Sequence, residues 1–248
     1  MHFTWQSPTR MIPAYYQLGM WRVQYFQQTC CVCHIHCRAI TKERLPMRRS
    51  FFSSLLCQWC HDDVSWLPDA LHQQLPVTQL GANHHFVIQP AAAHVGYLRS
   101  ALIAFKYKQQ LSALPILVHA IHQLPRPPGC HSTNSVIVAT PTTKHRLATR
   151  GFSPLSVLAY YLSRHWKIPL WQGIHRIDKA GSQQGLDRQS RQQNILNAFE
   201  VTQAVPTRRV ILFDDVVTTA ATLTALALTI KQACPETHIM AYALSHGH

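Results

Sequence analysis

The chain has 248 residues, of which 47% are hydrophobic and 13% are charged. This apolar share can fill a folded core and excludes wholesale disorder, and the length fits one or two domains. With 23 Lys and Arg against 10 Asp and Glu, the formal net charge is +13, which favours polyanionic partners such as nucleic acid or phosphorylated ligands.

Residues 1–28 are predicted to be an N-terminal extension, because they show no clear hydrophobic periodicity, and we assign them no function. They lack the continuous apolar segment of a secretory signal peptide. No stretch of the chain approaches the roughly 20 apolar residues of a membrane span. The sequence therefore predicts a cytoplasmic protein without membrane insertion, a reducing setting in which clustered cysteines more often bind metal than form disulfides.

Residues 29–64 contain two Cys-x-x-Cys pairs and are predicted to form a zinc ribbon. The pairs are Cys30 with Cys33 and Cys57 with Cys60. Each pair supplies two neighbouring corners of the four-thiolate tetrahedron of structural zinc. Free thiols or redox pairs are the alternative. The ligand choice in the first half stays open, because other side chains there could substitute: Cys31, His34, His36 and Cys37.

The segment between the two cysteine pairs is basic, and aromatic residues follow it. The basic residues are Arg38, Lys42, Arg44, Arg48 and Arg49, and the aromatic residues are Phe51, Phe52 and Trp59. This combination suits single-stranded nucleic acid, because aromatic rings stack on bases while cations contact phosphates. A solvated basic loop beside a small aromatic core explains the same composition, so both interpretations stay open.

Residues 65–95 are predicted to be a connector, and residues 96–248 an α/β domain. Apolar residues at steps of three and four predict helices over 97–105, 111–124, 152–166 and 222–233. Short apolar runs predict buried strands over 136–139, 210–213 and 239–244. Residues 175–194 are polar and contain Gly, which is typical of a mobile loop. This alternation predicts a mainly parallel sheet with helices on both faces.

The most informative segment extends from Val210 to Thr222. A predicted strand ends in Asp214 and Asp215, and small and hydroxylated residues lead into the next helix. Free N–H groups of such a loop favour a phosphate, whereas the carboxylates must face ribose hydroxyls or a metal ion. Ligands of open parallel sheets lie beyond the C-terminal strand ends, where this loop falls. The alternative for the two Asp alone is that they cap the helix.

This segment resembles the phosphoribosyl-pyrophosphate signature of type I phosphoribosyltransferases, and further motifs resemble the ComF family of competence-associated, GntX-like proteins. Residues 97–107 are similar to the family's lead-in helix, which ends in Lys-Tyr. The family's arginine loop is matched by Pro141, Arg146, Arg150, Gly151 and Phe152. Its long Gln-to-Asn stretch is matched by Gln183, Gly185, Leu186, Arg191, Asn194, Ala198 and Phe199. The resemblance extends over residues 29–245.

The resemblance implies a phosphoribosyltransferase-like domain with an N-terminal zinc ribbon, in a protein linked to natural competence and DNA uptake. It implies binding of phosphoribosyl pyrophosphate with Mg²⁺ and favours pentosyl transfer, although turnover stays open. The partners it implies are this sugar phosphate, single-stranded DNA and DNA-uptake proteins. The alternative function is a non-catalytic accessory protein of transformation that binds single-stranded DNA.

The resemblance also assigns roles to residues of this chain. Asp214 and Asp215 would bind the ribose hydroxyls, through or beside Mg²⁺. The 5′-phosphate would lie against Thr218, Thr219, Ala220, Ala221 and Thr222. The pyrophosphate would lie against Thr142, Thr143 and Lys144, with Arg146 and Arg150 as further cations. Residues 176–191 would be a flexible hood over the site.

The chain departs from the family pattern at three places. Ala220 stands where the family usually has Gly, which alone takes positive φ freely. Ser153-Pro154 replaces an Asn-Gln pair. Ala180 and Ser190 replace a Thr and a Glu of the hood. These departures predict that binding can survive where turnover has not.

Overall fold

The computed structural model describes residues 17–20, 22–23, 29–35, 55–74, 85–177 and 198–247 of the chain. The strands within these ranges are β1 (Leu71–Gln74), β2 (His85–Ala93), β3 (Ser135–Ala139), β4 (Ile174–Arg176), β5 (Phe199–Val201), β6 (Arg209–Val217) and β7 (His238–His246). The α-helices are α1 (Gln58–Asp62), α2 (Gly96–Tyr107), α3 (Leu114–Gln123), α4 (Lys144–Arg150), α5 (Pro154–Trp166) and α6 (Ala221–Ala233). Each described helix is too short or too polar to cross a lipid bilayer.

A five-stranded, mainly parallel sheet forms the centre of the fold. Its strand order is β1-β2-β7-β6-β3. β1 is antiparallel to β2, whereas the other neighbouring pairs are parallel. β4 and β5 form a separate antiparallel pair. The predicted α/β architecture with a mainly parallel sheet is therefore confirmed.

Apolar side chains cover both faces of this sheet. One face packs Ile137, Ile211 and Phe213 against helices α2, α3 and α5. The other packs Val138 and Leu212 against α6 and the β4–β5 pair. Successive strand residues point to opposite faces, so a strand covered on both faces must be apolar at every position. This constraint explains why the central strands appear in the sequence as unbroken apolar runs.

The sheet takes two strands from residues 65–95, the segment predicted to be a connector. β2 lies between β1 and β7 and pairs in parallel with β7, with Ile88 opposite Ala241. Trp66 also forms an isolated antiparallel bridge with Ala92. The sequence predicted no strand here, because Gln89 and Pro90 interrupt the apolar run of β2.

The predicted helix over 111–124 is divided in the structure. Leu111–Ala113 form a 3₁₀ turn, and α3 begins at Leu114 with Pro115 in its first turn. Proline has no backbone N–H to donate, which suits a first turn, where N–H groups have no intrahelical partner. The proline therefore sets the start of α3, while the apolar spacing of both pieces still faces the core.

Candidate functional site

Asp214 and Asp215 lie inside β6 rather than beyond its end. The sequence predicted that the strand ends at Phe213, but β6 continues to Val217, and Asp214 lies opposite Ala243 of β7. The ladder to β7 continues because the backbone can pair whatever its side chains are. The N-cap of α6 is Ala220, so the interpretation of the two Asp as helix caps is wrong.

Asp214 and Asp215 are neighbours in β6, where Asp215 is buried and Asp214 is half-buried. The backbone N–H of Asp215 donates to Oδ1 of Asp214 over 2.8 Å. Burial raises the pKa of Asp214 well above its ordinary value, and the neighbouring charge of Asp215 raises it further. The hydrogen bond from Asp215 and the ammonium of Lys106 lower that pKa only in part. Two carboxylates in such a place favour a cation beside them.

One such cation belongs to the chain itself. Lys106, in the last turn of α2, places its Nζ 2.8 Å from Oδ2 of Asp215, with the two side chains 20% and 10% exposed. The sequence contained Lys106 only as part of the lead-in helix motif and gave it no role. Its partner lies more than 100 positions further along the chain, so the spacing of residues could not reveal this ion pair.

A cavity of about 200 Å³ opens at this acidic pair. Six of the predicted ligand-binding residues line it: Thr142, Arg146, Arg150, Asp214, Asp215 and Thr222. Its wall also includes Lys106, Thr140 and Ser153, which had no predicted role, and Arg176, the first residue of the predicted hood. The cavity thus joins four cationic side chains to two carboxylates, and this arrangement suits a ligand that carries both anionic groups and hydroxyls.

The arginines of this cavity come from one face of α4. Arg146 and Arg150 are four residues apart, one helical turn, so their side chains lie on the same side of the helix. Thr143 is the N-cap, and its hydroxyl accepts a hydrogen bond from the N–H of Arg146. Arg150 also stacks over the exposed ring of Tyr107, 4.9 Å from its centroid. Thr143 and Lys144 are outside the cavity lining, so their contribution is to the start of α4.

The loop after β6 has its only left-handed residue, among those described, at the position of the family's usual Gly. Ala220 has φ 56° and ψ 4°, and it caps α6 without a side-chain hydrogen bond. An L-residue in this conformation costs roughly 1–2 kcal/mol. Thr218 and Thr219 are exposed, and Thr222 is the one hydroxyl of this loop that lines the cavity.

Two predicted features lie largely outside the described residues. Of the hood over residues 176–191, only Arg176 and Ile177 are described. The basic segment with Arg38, Lys42, Arg44, Arg48 and Arg49 is outside the described ranges, as are Phe51 and Phe52. Trp59 is described, and it lies in α1 with 65% of its surface exposed.

The four cysteines of the two Cys-x-x-Cys pairs form one cluster. The sulfurs of Cys30, Cys33, Cys57 and Cys60 all lie within 4.8 Å of one another. Sγ of Cys33 is 3.5 Å from Sγ of Cys57. Zinc–sulfur bonds of about 2.3 Å place tetrahedral sulfurs about 3.8 Å apart, so this spacing fits a bound zinc ion. Of the alternative ligands, Cys31 and His34 are described and lie outside the cluster, whereas His36 and Cys37 are not described.

The chemistry of the cluster also favours a cation. Burial raises the pKa of Cys57 and of Cys60, and the neighbouring thiols raise that of Cys60 further. The pKa of Cys30 is lowered to about 7, because hydrogen bonds from backbone groups outweigh its burial. Four thiolates cannot share this volume unless positive charge compensates them, and a divalent metal provides that charge. The cluster is therefore a candidate zinc site.

The cysteine cluster packs directly on the α/β domain. Tyr97, in the first turn of α2, contacts the small core formed by Cys30, Leu56 and Cys57. Beyond the cluster, Nδ1 of His61 lies 3.0 Å from Nε2 of His119 on α3. The ribbon and the cavity are thus connected through the same layer of helices.

We expect the purified protein to contain about one zinc ion per chain, and Cys60→Ser to lose it, because a closed structural site needs all four ligands. Metal analysis by mass spectrometry measures this directly. Cys31→Ser is the matched control, since Cys31 adjoins a ligand in sequence but lies outside the cluster. Zinc retained by Cys60→Ser, or zinc lost from Cys31→Ser, would contradict the assignment.

We expect Ala220→Gly to leave the free energy of unfolding unchanged or to raise it, because glycine adopts positive φ without strain. Ala221→Gly, at the first residue of α6, should instead lower the free energy of unfolding by about 0.5–1 kcal/mol. Glycine loses more backbone freedom than alanine when it is fixed in a helix. Chemical denaturation of the two variants measures the difference. An equal loss in both would show that the backbone at Ala220 is unstrained.

Comparison with known proteins gives partial matches, and no family model matches the chain. Competence protein F of Haemophilus influenzae is 33% identical over 115 residues, which are 45% of this chain and 47% of that protein. DNA utilization protein YhgH of Escherichia coli is 33% identical over 93 residues, 37% of this chain and 40% of that protein. The chain thus spans less than half the length of these relatives. Together with the motifs, these matches support the resemblance of the chain to the ComF family.

Proposed function

We propose that the chain is a phosphoribosyltransferase-like protein that binds phosphoribosyl pyrophosphate with Mg²⁺ and takes part in DNA uptake in the cytoplasm. The observation that carries this proposal is a single cavity lined both by the carboxylates of Asp214 and Asp215 and by the cations of Arg146 and Arg150. Such a ligand needs carboxylates for its ribose hydroxyls and cations for its phosphates, and the cavity offers both. The link to DNA uptake rests on the relatives named for competence and for DNA utilization.

The residues of the cavity divide naturally between the parts of such a ligand. Asp214 and Asp215 would accept hydrogen bonds from the ribose hydroxyls and provide the hard oxygen ligands that Mg²⁺ prefers. Arg146 and Arg150 would hold the pyrophosphate. Thr222 and the N-terminal N–H groups of α6 would hold the 5′-phosphate.

These groups are also suited to catalysis of pentosyl transfer. A nucleophile forms a bond to the anomeric carbon while the bond from that carbon to the pyrophosphate oxygen breaks, and the pyrophosphate leaves with the electron pair. Arg146 and Arg150 would stabilise the charge that develops on the leaving group. Bound Mg²⁺ would neutralise part of the same charge.

The cysteine cluster would bind a structural zinc ion and keep the ribbon folded. The ribbon core contains few residues, namely Cys30, Leu56 and Cys57 with their neighbours, which is too little apolar surface to fold alone. Packing on Tyr97 then fixes the ribbon to the α/β domain. The metal would thus have no part in the chemistry of the cavity.

Calorimetric titration of the zinc-loaded protein with phosphoribosyl pyrophosphate and Mg²⁺ tests the sugar-phosphate site. We expect saturable binding, competition by ribose 5-phosphate, and loss of affinity by at least about tenfold in Asp214→Asn/Asp215→Asn, because neutral amides cannot replace carboxylates toward a cation. Asp69→Asn, which removes an exposed carboxylate of the connector, is the control. Absence of binding by the unaltered protein, or equal binding by the double variant, would refute the proposal.

Single-stranded DNA is a second candidate ligand, bound by the zinc ribbon. The exposed ring of Trp59 on α1 is the described feature that favours it, together with the net charge of +13. Aromatic rings at a basic surface provide the stacking that single strands use. Binding there would be separate from the cavity, so the two functions are compatible.

Replacing Arg44, Arg48 and Arg49 with Gln should weaken binding of single-stranded DNA and make its salt dependence shallower. Three lost phosphate contacts correspond to a change of about two in the slope of log K against log salt. Fluorescence anisotropy of a labelled oligonucleotide at several salt concentrations measures this slope. The charge-matched control replaces three exposed cations on the domain: Arg164, Lys167 and Arg208. Equal slopes in both variants would argue against a site on the ribbon.

A further inference from the structure

Lys106 is ion-paired with Asp215 and also lines the cavity. Its Nζ pairs with Oδ2 of Asp215 over 2.8 Å, and its side chain also lines the cavity together with Arg146 and Arg150. The first contact places it where a metal ion or ribose hydroxyls would need Asp215. The second places it where it can reach an anion.

Burial makes it costly for either partner of this ion pair to be left alone. The side chain of Lys106 is 20% exposed and that of Asp215 is 10% exposed, so water replaces a lost partner only in part. A cation that takes Asp215 therefore displaces Lys106 unfavourably unless the ammonium gains a new partner. An anion in the same cavity supplies that partner.

We propose that Lys106 neutralises Asp215 in the free protein and turns to the phosphate oxygens of the ligand when metal and sugar phosphate bind together. Lys106 is thereby the positioning residue that makes the two bind as a pair, because metal alone leaves the ammonium without a counter-charge. The inference rests on the proposed function of the cavity. Lys106 lies on α2, outside both β6 and the loop after it, and it couples the binding of the two ligands.

The side chain of lysine suits this exchange better than that of arginine would. Its compact charge sits on a flexible four-carbon stem, so it can change partners by rotation about single bonds. The backbone of Lys106 is held in place, since Leu98, Leu102 and Phe105 of α2 are buried in the core. The helix thus stays fixed while the ammonium moves.

The test measures metal binding separately from sugar-phosphate binding. Mn²⁺, whose free ion has a paramagnetic resonance signal, is titrated into the zinc-loaded protein with and without phosphoribosyl pyrophosphate, with correction for Mn²⁺ bound by the compound itself. The proteins are the unaltered chain, Lys106→Met and Lys106→Arg. Lys108→Met is the matched control, since it removes an equal charge two residues away on an exposed side chain.

Removal of the ammonium should raise the affinity for Mn²⁺ alone and reduce the gain that phosphoribosyl pyrophosphate adds to it. In Lys106→Met, Mn²⁺ alone should bind more tightly, while the gain in Mn²⁺ affinity caused by phosphoribosyl pyrophosphate should shrink by roughly tenfold. Lys106→Arg should keep most of that gain, and Lys108→Met should match the unaltered chain. Weaker binding both of Mn²⁺ alone and of phosphoribosyl pyrophosphate by Lys106→Met would overturn the inference.

Other outcomes separate this inference from the function on which it rests. If the unaltered chain binds phosphoribosyl pyrophosphate but Lys106→Met shows the same gain, or no tighter binding of Mn²⁺ alone, the coupling role is refuted and the proposed function stands. If the unaltered chain binds neither ligand, the proposed function fails, and the role of Lys106 fails with it.

Discussion

The ion pair between Lys106 and Asp215 is the interaction on which the candidate site depends. Two neighbouring carboxylates in a central strand are costly, because burial and mutual repulsion both oppose their charge. The 2.8 Å contact with Lys106 compensates one of them, and the N–H of Asp215 donates to the other. Without such compensation, the acidic pair would favour the neutral form and lose its attraction for a cation. The position of α2 is therefore a requirement of the acidic pair as much as of the core.

The sheet then determines where the rest of the site can lie. β6 runs parallel to β3 and β7, so the C-terminal ends of these strands meet at one edge. Thr142 and α4 follow β3 there, while the loop to α6 follows β6. The anion-binding groups and the carboxylates thus converge from segments about 70 residues apart in sequence, because each follows a strand whose partner is fixed by the buried ladder. The same edge explains why Ala220 is held at positive φ: the chain must turn sharply from β6 into α6.

The sequence predicted those parts of the fold that local pattern determines. Unbroken apolar runs identified the strands around Ile137, Ile211 and Ala241, because strands covered on both faces allow little else. The two Cys-x-x-Cys pairs indicated the cluster, and the thirteen-residue segment ending at Thr222 indicated the acidic site. The sequence could not show that Asp214 and Asp215 stay within β6, because backbone pairing with β7 does not depend on which side chains the strand carries. Nor could it show the part of Lys106 or of Arg176 in the cavity, since both contacts arise from packing between distant segments.

Helix α2 connects the two candidate sites of the molecule. Tyr97 in its first turn packs on the cysteine cluster, and Lys106 in its last turn holds Asp215. Nine residues of helix separate them, about 13 Å along the axis. Between these ends, Leu98, Leu102 and Phe105 are buried, so the helix can move only as a unit with the core. Metal bound by the four thiols would then stabilise the small cysteine core that Tyr97 packs against. It would thereby also stabilise α2, the helix that positions Lys106. The zinc ribbon is in this sense part of the scaffold of the cavity, because the helix it supports carries the counter-charge of the acidic pair.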